Sequence, residues 1–144
     1  MMSKILVING PNLNFLGKRN PDIYGSDTLA DVEYKIRDAI TCADLELVFF
    51  QSNHEGELID LIQEHHGSLN GIAINAGALT HYGYSLKDAL IDAAVPVVEV
   101  HVGNPYAREE WRRHSVIADT AIGIISGFGW RSYKLAIDAI LEHT

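Results

Sequence analysis

The chain has 144 residues, 47% of them hydrophobic and 21% charged, and a formal net charge of −8 at pH 7. This is the composition of one globular domain rather than of a disordered chain, and its acidity excludes a broad surface for nucleic acid or anionic membrane. The lone cysteine, Cys42, excludes a disulfide framework and a cysteine-based zinc site.

In chain order, the opening MMSKILVING contains an apolar run, Ile5–Ile8, that is too short for a signal-peptide core. No stretch approaches the ~20 apolar residues of a membrane span, so a soluble, cytoplasmic protein is expected. Gly10 to Gly25, GPNLNFLGKRNPDIYG, comes next. A strand-to-helix loop usually takes ~2–6 residues; this one takes sixteen. A long polar loop at such a junction more often carries function than decoration.

A helix follows from Thr28, with Leu29, Val32, Ile36, Ala39 and Ile40 on one face and Thr28 with Asp31 resembling a capping box. Four further short runs read as strands buried on both faces: Leu45–Phe50, Gly71–Asn75, Val95–His101 and Ala121–Ile125. Helical faces lie between and after them: Leu58, Ile59 and Ile62; Leu86, Ala89, Leu90 and Ala93; and, from about Trp130 to Glu142, Ala136, Ile137, Ile140 and Leu141. Alternation of strand and helix predicts a doubly wound, flavodoxin-like α/β domain with a five-stranded parallel sheet, spanning 1–144.

Ligands of such sheets bind beyond the carboxyl ends of the strands. The residues just after each run are Asn12 and Asn14, Asn53 and His54, Asn75 and Gly77, His101 to Asn104, and Ser126 and Gly127. One asparagine alone would be a turn former, but several on one rim favour a polar pocket. The first loop has neither G-x-G-x-x-G nor a P-loop lysine followed by Ser or Thr, so it is no phosphate cradle of a known type. An acidic receiver-type cluster is missing too, since Asn9, Gly10, Pro11 and Asn12 stand there.

The fourth strand places Val97, Glu99 and His101 on one face. A buried glutamate needs a partner, and two residues of strand span only ~6.6 Å, so Glu99 can hold the His101 imidazole. Orientation of that kind prepares a general acid or base; the alternative is a structural bond at a strand end. Arg108 and Arg112, four apart, are expected to share a helical face. His54 and Glu55 do not make H-E-x-x-H, and no metal site is expected.

GPNLNFLGKRNPDIYG, QSNHEGEL (51–58), INAGALTH (74–81), EVHVGN (99–104) and AREEWRRHS (107–115) together resemble the type II 3-dehydroquinate dehydratases, in order and over nearly the whole chain. The resemblance implies a flavodoxin-like fold, a homododecamer arranged as a tetramer of trimers, and loss of water from 3-dehydroquinate to give 3-dehydroshikimate without metal, cofactor or Schiff base. It implies Tyr24 as the base beside the ketone, His101 as the acid for the departing hydroxyl, and Glu99 as its orienting partner. Arg19 would stabilise the tyrosinate and the enolate, Asn12 would position a water at the enolate oxygen, and Arg108 would add positive charge near the tyrosine. Asn75, His81, Asp88 and Arg112, with the backbone of Val102 and Gly103, would bind substrate.

Removing a phenol's proton near neutrality costs about 4 kcal/mol. An arginine ~4 Å away offsets that at an effective dielectric of about 20 but supplies only about 1 kcal/mol in bulk water. Closure of the Gly10–Gly25 loop as a lid is therefore expected to be part of the reaction. The chain departs from the family pattern at Gly103, where serine is usual, at Tyr82, Gly83 and Tyr84, and at Pro105 and Tyr106. Loss of the serine hydroxyl from a bond to a carboxylate is worth ~1.5–3 kcal/mol of binding. The role implied is in aromatic amino-acid biosynthesis through shikimate and chorismate, with quinate catabolism or a non-catalytic binding or assembly paralogue as alternatives.

Overall fold

A computed structural model describes residues 2–143. Its strands are β1 (Ser3–Asn9), β2 (Leu45–Gln51), β3 (Gly71–Asn75), β4 (Val97–His101) and β5 (Gly123–Ser126), paired in parallel in the order β2-β1-β3-β4-β5. The helices are α1 (Pro21–Tyr24), α2 (Leu29–Ala39), α3 (Glu55–Glu64), α4 (Tyr84–Ala93) and α5 (Trp130–Glu142). This is the flavodoxin-like strand order, whose switch point lies between β1 and β3.

Alternation along the strands divides the core into two layers. Leu6, Ile8, Ile72, Ile74 and Val97 meet Leu58 and Ile62 of α3 and Leu86, Ala89, Leu90 and Ala93 of α4. Ile5, Val7, Ala73, Val98 and Val100 meet Val32 and Ile36 of α2 and Tyr133, Ala136, Ile137 and Ile140 of α5. Full burial of each large aliphatic chain contributes ~1.5–3 kcal/mol, so both faces of the inner strands are held by their own sequence. The capping box at α2 is present: Asp31 N–H donates to Thr28 Oγ1 at 3.1 Å and Thr28 N–H to Asp31 Oδ2 at 3.0 Å.

The sequence reading needs correction in four places. The edge strands are not buried on both faces: β2 is half-buried along its length, and Gly123 and Ile124 of β5 are exposed. Between β4 and β5 there is no α-helix; the chain crosses through single 3₁₀ turns at Pro105–Ala107, Glu110–Arg113 and Ala118–Thr120. Leu141 of α5 is 39% exposed, whereas Tyr133 at the other end of that helix is fully buried. The Gly10–Gly25 segment is not a bare loop, since it contains a 3₁₀ turn at Leu13–Phe15 and the helix α1. Buried Leu13 and Leu16 pin its first half to the core.

Candidate active site

Gly10 and Gly77 set the floor of the site. A Cβ on Gly10 would run into the backbone of Ala76, and one on Gly77, at φ +61°, would meet Pro11 O at 2.9 Å. Only glycine lets the chain leaving β1 cross so closely over the chain leaving β3. The rim after β1 is stitched to the rim after β2: Asn53 Oδ1 accepts from Asn12 N–H at 3.0 Å and from Gln51 Nε2 at 3.2 Å. Asn12 has φ 70°, a left-handed conformation that asparagine tolerates, and it lines the pocket. Asn53 holds a neighbour's backbone, and exposed His54 lies at the start of α3.

The pocket opens above the carboxyl ends of β1, β3 and β4. Arg19 and Tyr24 come to it from the long segment, Asn75 from β3, His81 from the turn after β3, His101 from β4, and Arg108 and Arg112 from the β4–β5 crossover. Three arginines and two histidines line it and no carboxylate does. In a chain of net charge −8, this is a local cationic well suited to a small anion.

Tyr24 is the side chain most surrounded by that charge. Its hydroxyl oxygen accepts a hydrogen bond from Arg108 Nη1 at 2.6 Å, while the Arg19 and Arg108 guanidinium carbons lie 4.9 and 5.2 Å from its ring centroid. The direct partner of the phenol is thus Arg108, and Arg19 stacks on the ring. Arg108 and Arg112 do not share a helical face: Arg108 caps the end of the Pro105–Ala107 turn, which Asn104 starts, and Arg112 lies within the separate turn Glu110–Arg113. Arg112 pairs with Glu109 at 2.8 Å and lies 4.1 Å over Trp111.

Glu99 is 2% exposed and sits behind His101. His101 Nε2 donates to Glu99 Oε2 at 2.5 Å, and Ser115 Oγ donates to Oε1 at 2.6 Å. Burial pushes the Glu99 carboxyl up, but bonds from His101 and Ser115, with the charge on His101, outweigh it and hold the group below its ordinary range. With Nε2 committed to Glu99, Nδ1 is the ring nitrogen left to serve the pocket. His81 is held differently: its Nδ1 donates to the His114 carbonyl at 2.7 Å and its ring meets Trp111 edge-on at 5.0 Å, which leaves Nε2 available.

Asp88 is not among these residues. Leu86, Ala89 and Leu90 turn α4 toward the core, and Asp88 between them points to solvent, away from the pocket of its own chain. Asn14 is likewise exposed and outside the pocket. Ser115 went unnoticed in the sequence, although it lies inside one of the blocks quoted above. Its only signal was a hydroxyl that the fold brings to a buried acid.

A tyrosine under an arginine and a histidine backed by a carboxylate, both lining one cationic pocket, can take a proton from an anionic molecule and deliver one to it. The site and the sheet beneath it therefore define an acid–base enzyme of flavodoxin-like fold. The chain belongs to the class II dehydroquinase family, whose model matches residues 3–141. It is 53% identical over 139 residues to a 3-dehydroquinate dehydratase of Herpetosiphon aurantiacus, covering 96% of each chain. It is 54% identical over 141 residues to one of Bacillus licheniformis, covering 98% of this chain and 97% of the relative. A crystal structure of type II dehydroquinase from Butyrivibrio crossotus superposes with a TM-score of 0.93 at 43% identity, covering 98% of this chain and 99% of the other.

Proposed function

We infer that the protein is a hydro-lyase that removes water from 3-dehydroquinate to give 3-dehydroshikimate, working in aromatic amino-acid biosynthesis. The observation that carries the reading is the presence of Tyr24–Arg108 and His101–Glu99 at one pocket lined by three arginines and no carboxylate. In this scheme the Tyr24 oxygen takes the proton beside the ketone, and the bond's electrons move into the carbonyl as an enolate. Asn12 and its neighbouring water, together with Arg19, stabilise that oxygen. Collapse of the enolate breaks the bond to the tertiary hydroxyl, which leaves with a proton from His101. Asn75, His81, Arg112 and the backbone of Val102 and Gly103 hold the substrate's hydroxyls and carboxylate. No metal, cofactor or lysine imine enters the scheme.

The lid reading has support in the backbone. Gly17 at φ +87° and Gly25 at φ +78° bracket the segment that carries Arg19 and Tyr24, so its ends can turn without a Cβ in the way. Adding 3-dehydroquinate to the protein should raise the ultraviolet absorbance of the conjugated product, and borohydride together with substrate should leave activity unharmed. A flat trace from folded protein would overturn the assignment and leave the binding-paralogue reading.

Gly103 supports a graded prediction. A Cβ there would lie 3.2 Å from Ile23 O in α1, so any side chain asks the lid to shift by tenths of an ångström. Gly103→Ala isolates that cost, and Gly103→Ser adds a hydroxyl beside the substrate carboxylate. The serine variant is expected to bind substrate about tenfold more tightly than the alanine variant, measured as KM or as a product dissociation constant. Equal affinities would remove the hydroxyl from the account of binding.

In the same reading the chain is cytoplasmic and assembles as a homododecamer, a tetramer of trimers. Half-exposed Ile122 and Ile124 at the edge strand β5, with exposed Phe128 after it, give an apolar margin of the kind that self-association covers. Asp88 could reach a ligand only from a neighbouring copy. Among the described residues no helix is long and apolar enough to cross a membrane.

A further inference from the structure

Tyr133 is the largest fully buried side chain among the described residues, and its hydroxyl lies between two asparagines that are register partners at the ends of adjoining strands. Tyr133 Oη donates to Asn9 Oδ1 and accepts from Asn75 Nδ2 at 3.0 Å, while Asn75 Oδ1 accepts from Gly77 N–H at 3.2 Å. Asn9 and Asn75 are 2% and 3% exposed. Asn75 also lines the pocket, so it joins this buried chain to the surface that meets substrate.

The direction of the chain is forced from one end. Gly77 N–H can only donate, and the close crossing over Pro11 fixes its position. It therefore claims Asn75 Oδ1, which turns Nδ2 toward Tyr133. An N–H already pointing at the Tyr133 oxygen obliges that hydroxyl to send its one proton onward, to Asn9 Oδ1. Every group in the chain then has one orientation, and a buried chain with a single direction is stiffer than its separate bonds. Burial pushes the Tyr133 phenol well above its ordinary value, which keeps it a neutral hydroxyl rather than a second base beside Tyr24.

We propose that Tyr133, backed by Asn9, is a positioning residue for substrate binding: it holds the Asn75 carboxamide so that one N–H of Nδ2 stays free as the donor presented to a substrate oxygen. This rests on the dehydratase reading of the pocket for what is bound, but not for the chain of bonds itself. Tyr133→Phe keeps the ring that packs against α2 and the sheet and removes only the hydroxyl. Asn75 then loses the partner that fixes its amide, and its two ends can exchange.

Two measurements on the 144-residue chain test this. In nitrogen-edited NMR spectra, the Asn75 side-chain amide pair, assigned by its loss in Asn75→Ala, should exchange with solvent roughly tenfold faster in Tyr133→Phe. Kinetically, Tyr133→Phe should raise KM for 3-dehydroquinate by roughly threefold to tenfold with kcat nearly unchanged, and it should add nothing in an Asn75→Ala background. Asn9→Ala, which frees the Tyr133 proton to turn back on Asn75, should change both readings in the same direction and serves should Tyr133→Phe fold poorly. An unchanged KM, or a full extra effect in the Asn75→Ala background, overturns the proposal even if the amide signal moves. Should the parent protein not turn over 3-dehydroquinate, the dehydratase reading falls. The exchange rate still decides whether Tyr133 holds Asn75, and an unaltered rate sinks that as well.

Discussion

Tyr24→Phe is expected to lower kcat by roughly 10³-fold while leaving affinity for substrate or product within a few-fold of the parent. The reason lies in what phenylalanine keeps. Both guanidinium groups rest against the ring face, with their carbons 4.9 and 5.2 Å from the centroid, and neither stacking contact needs the hydroxyl. The segment stays docked, the pocket keeps its three arginines, and a carboxylate ligand meets the same charge. What disappears is the atom that Arg108 bonds at 2.6 Å. Forming a phenolate near neutrality costs about 4 kcal/mol, and a guanidinium in contact offsets about that much only where the effective dielectric is near 20. Arg108 supplies the contact and Arg19 stacks on the ring, so the arginine that the family resemblance gave only a supporting charge near the tyrosine is the one in direct contact with the phenol. Steady-state kinetics beside calorimetric titration with product would check both halves of the expectation. Retained turnover would remove Tyr24 from the base's role, and lost binding would make it a structural anchor instead.

The parts of this molecule governed by local rules could be read from the chain. The capping box at Thr28, the range of α5 and the five strands to within two residues follow from periodicities and side-chain chemistry that act over a few positions. The strand ends then placed the polar rim, because a doubly wound sheet binds ligands there. Residue spacing was silent where distant residues decide. Arg108 meets Tyr24 across 84 positions of sequence, so nothing near either one announces the bond, and only the family resemblance brought that charge to the tyrosine. The i, i+4 spacing of Arg108 and Arg112 looked helical, but Pro105 and the short turns around it break the period. Nothing in the sequence singles out Tyr133; only the pairing of β1 with β3 brings Asn9 and Asn75 to its hydroxyl. Family resemblance carried the roles of Tyr24 and Arg19, which spacing alone would not have separated from an anchored turn.

The second large effect expected is at Glu99. Glu99→Gln should lower kcat by roughly 10²-fold and should also change how stability depends on acid. The carboxylate accepts from two donors, His101 Nε2 on one oxygen and Ser115 Oγ on the other. Ser115 cannot turn its proton elsewhere without losing its place, because its oxygen is already taken by Ala118 N–H at 3.1 Å. A glutamine offers one acceptor and one donor, so it can satisfy Ser115 or His101 but not both. If the oxygen goes to Ser115, the amide nitrogen faces His101 Nε2 as a donor, and the ring must move its proton to Nδ1 and lose the adjoining negative charge. The proton on Nδ1 then belongs to a neutral imidazole with no counter-charge behind it, a far weaker acid than the imidazolium that Glu99 supports, which lowers kcat with little change in KM. For stability the sign is set by the direction of the shift: the folded carboxyl lies below its unfolded value of 4.5. Its stabilising contribution is complete above that unfolded value and disappears as pH falls through the folded one. The parent should therefore exceed Glu99→Gln most in urea denaturation at neutral pH, with the gap narrowing once pH drops below about 4.5. A gap that stays constant across that range would mean that Glu99 is held as a neutral acid, and the assignment of His101 as its charged partner would fail with it.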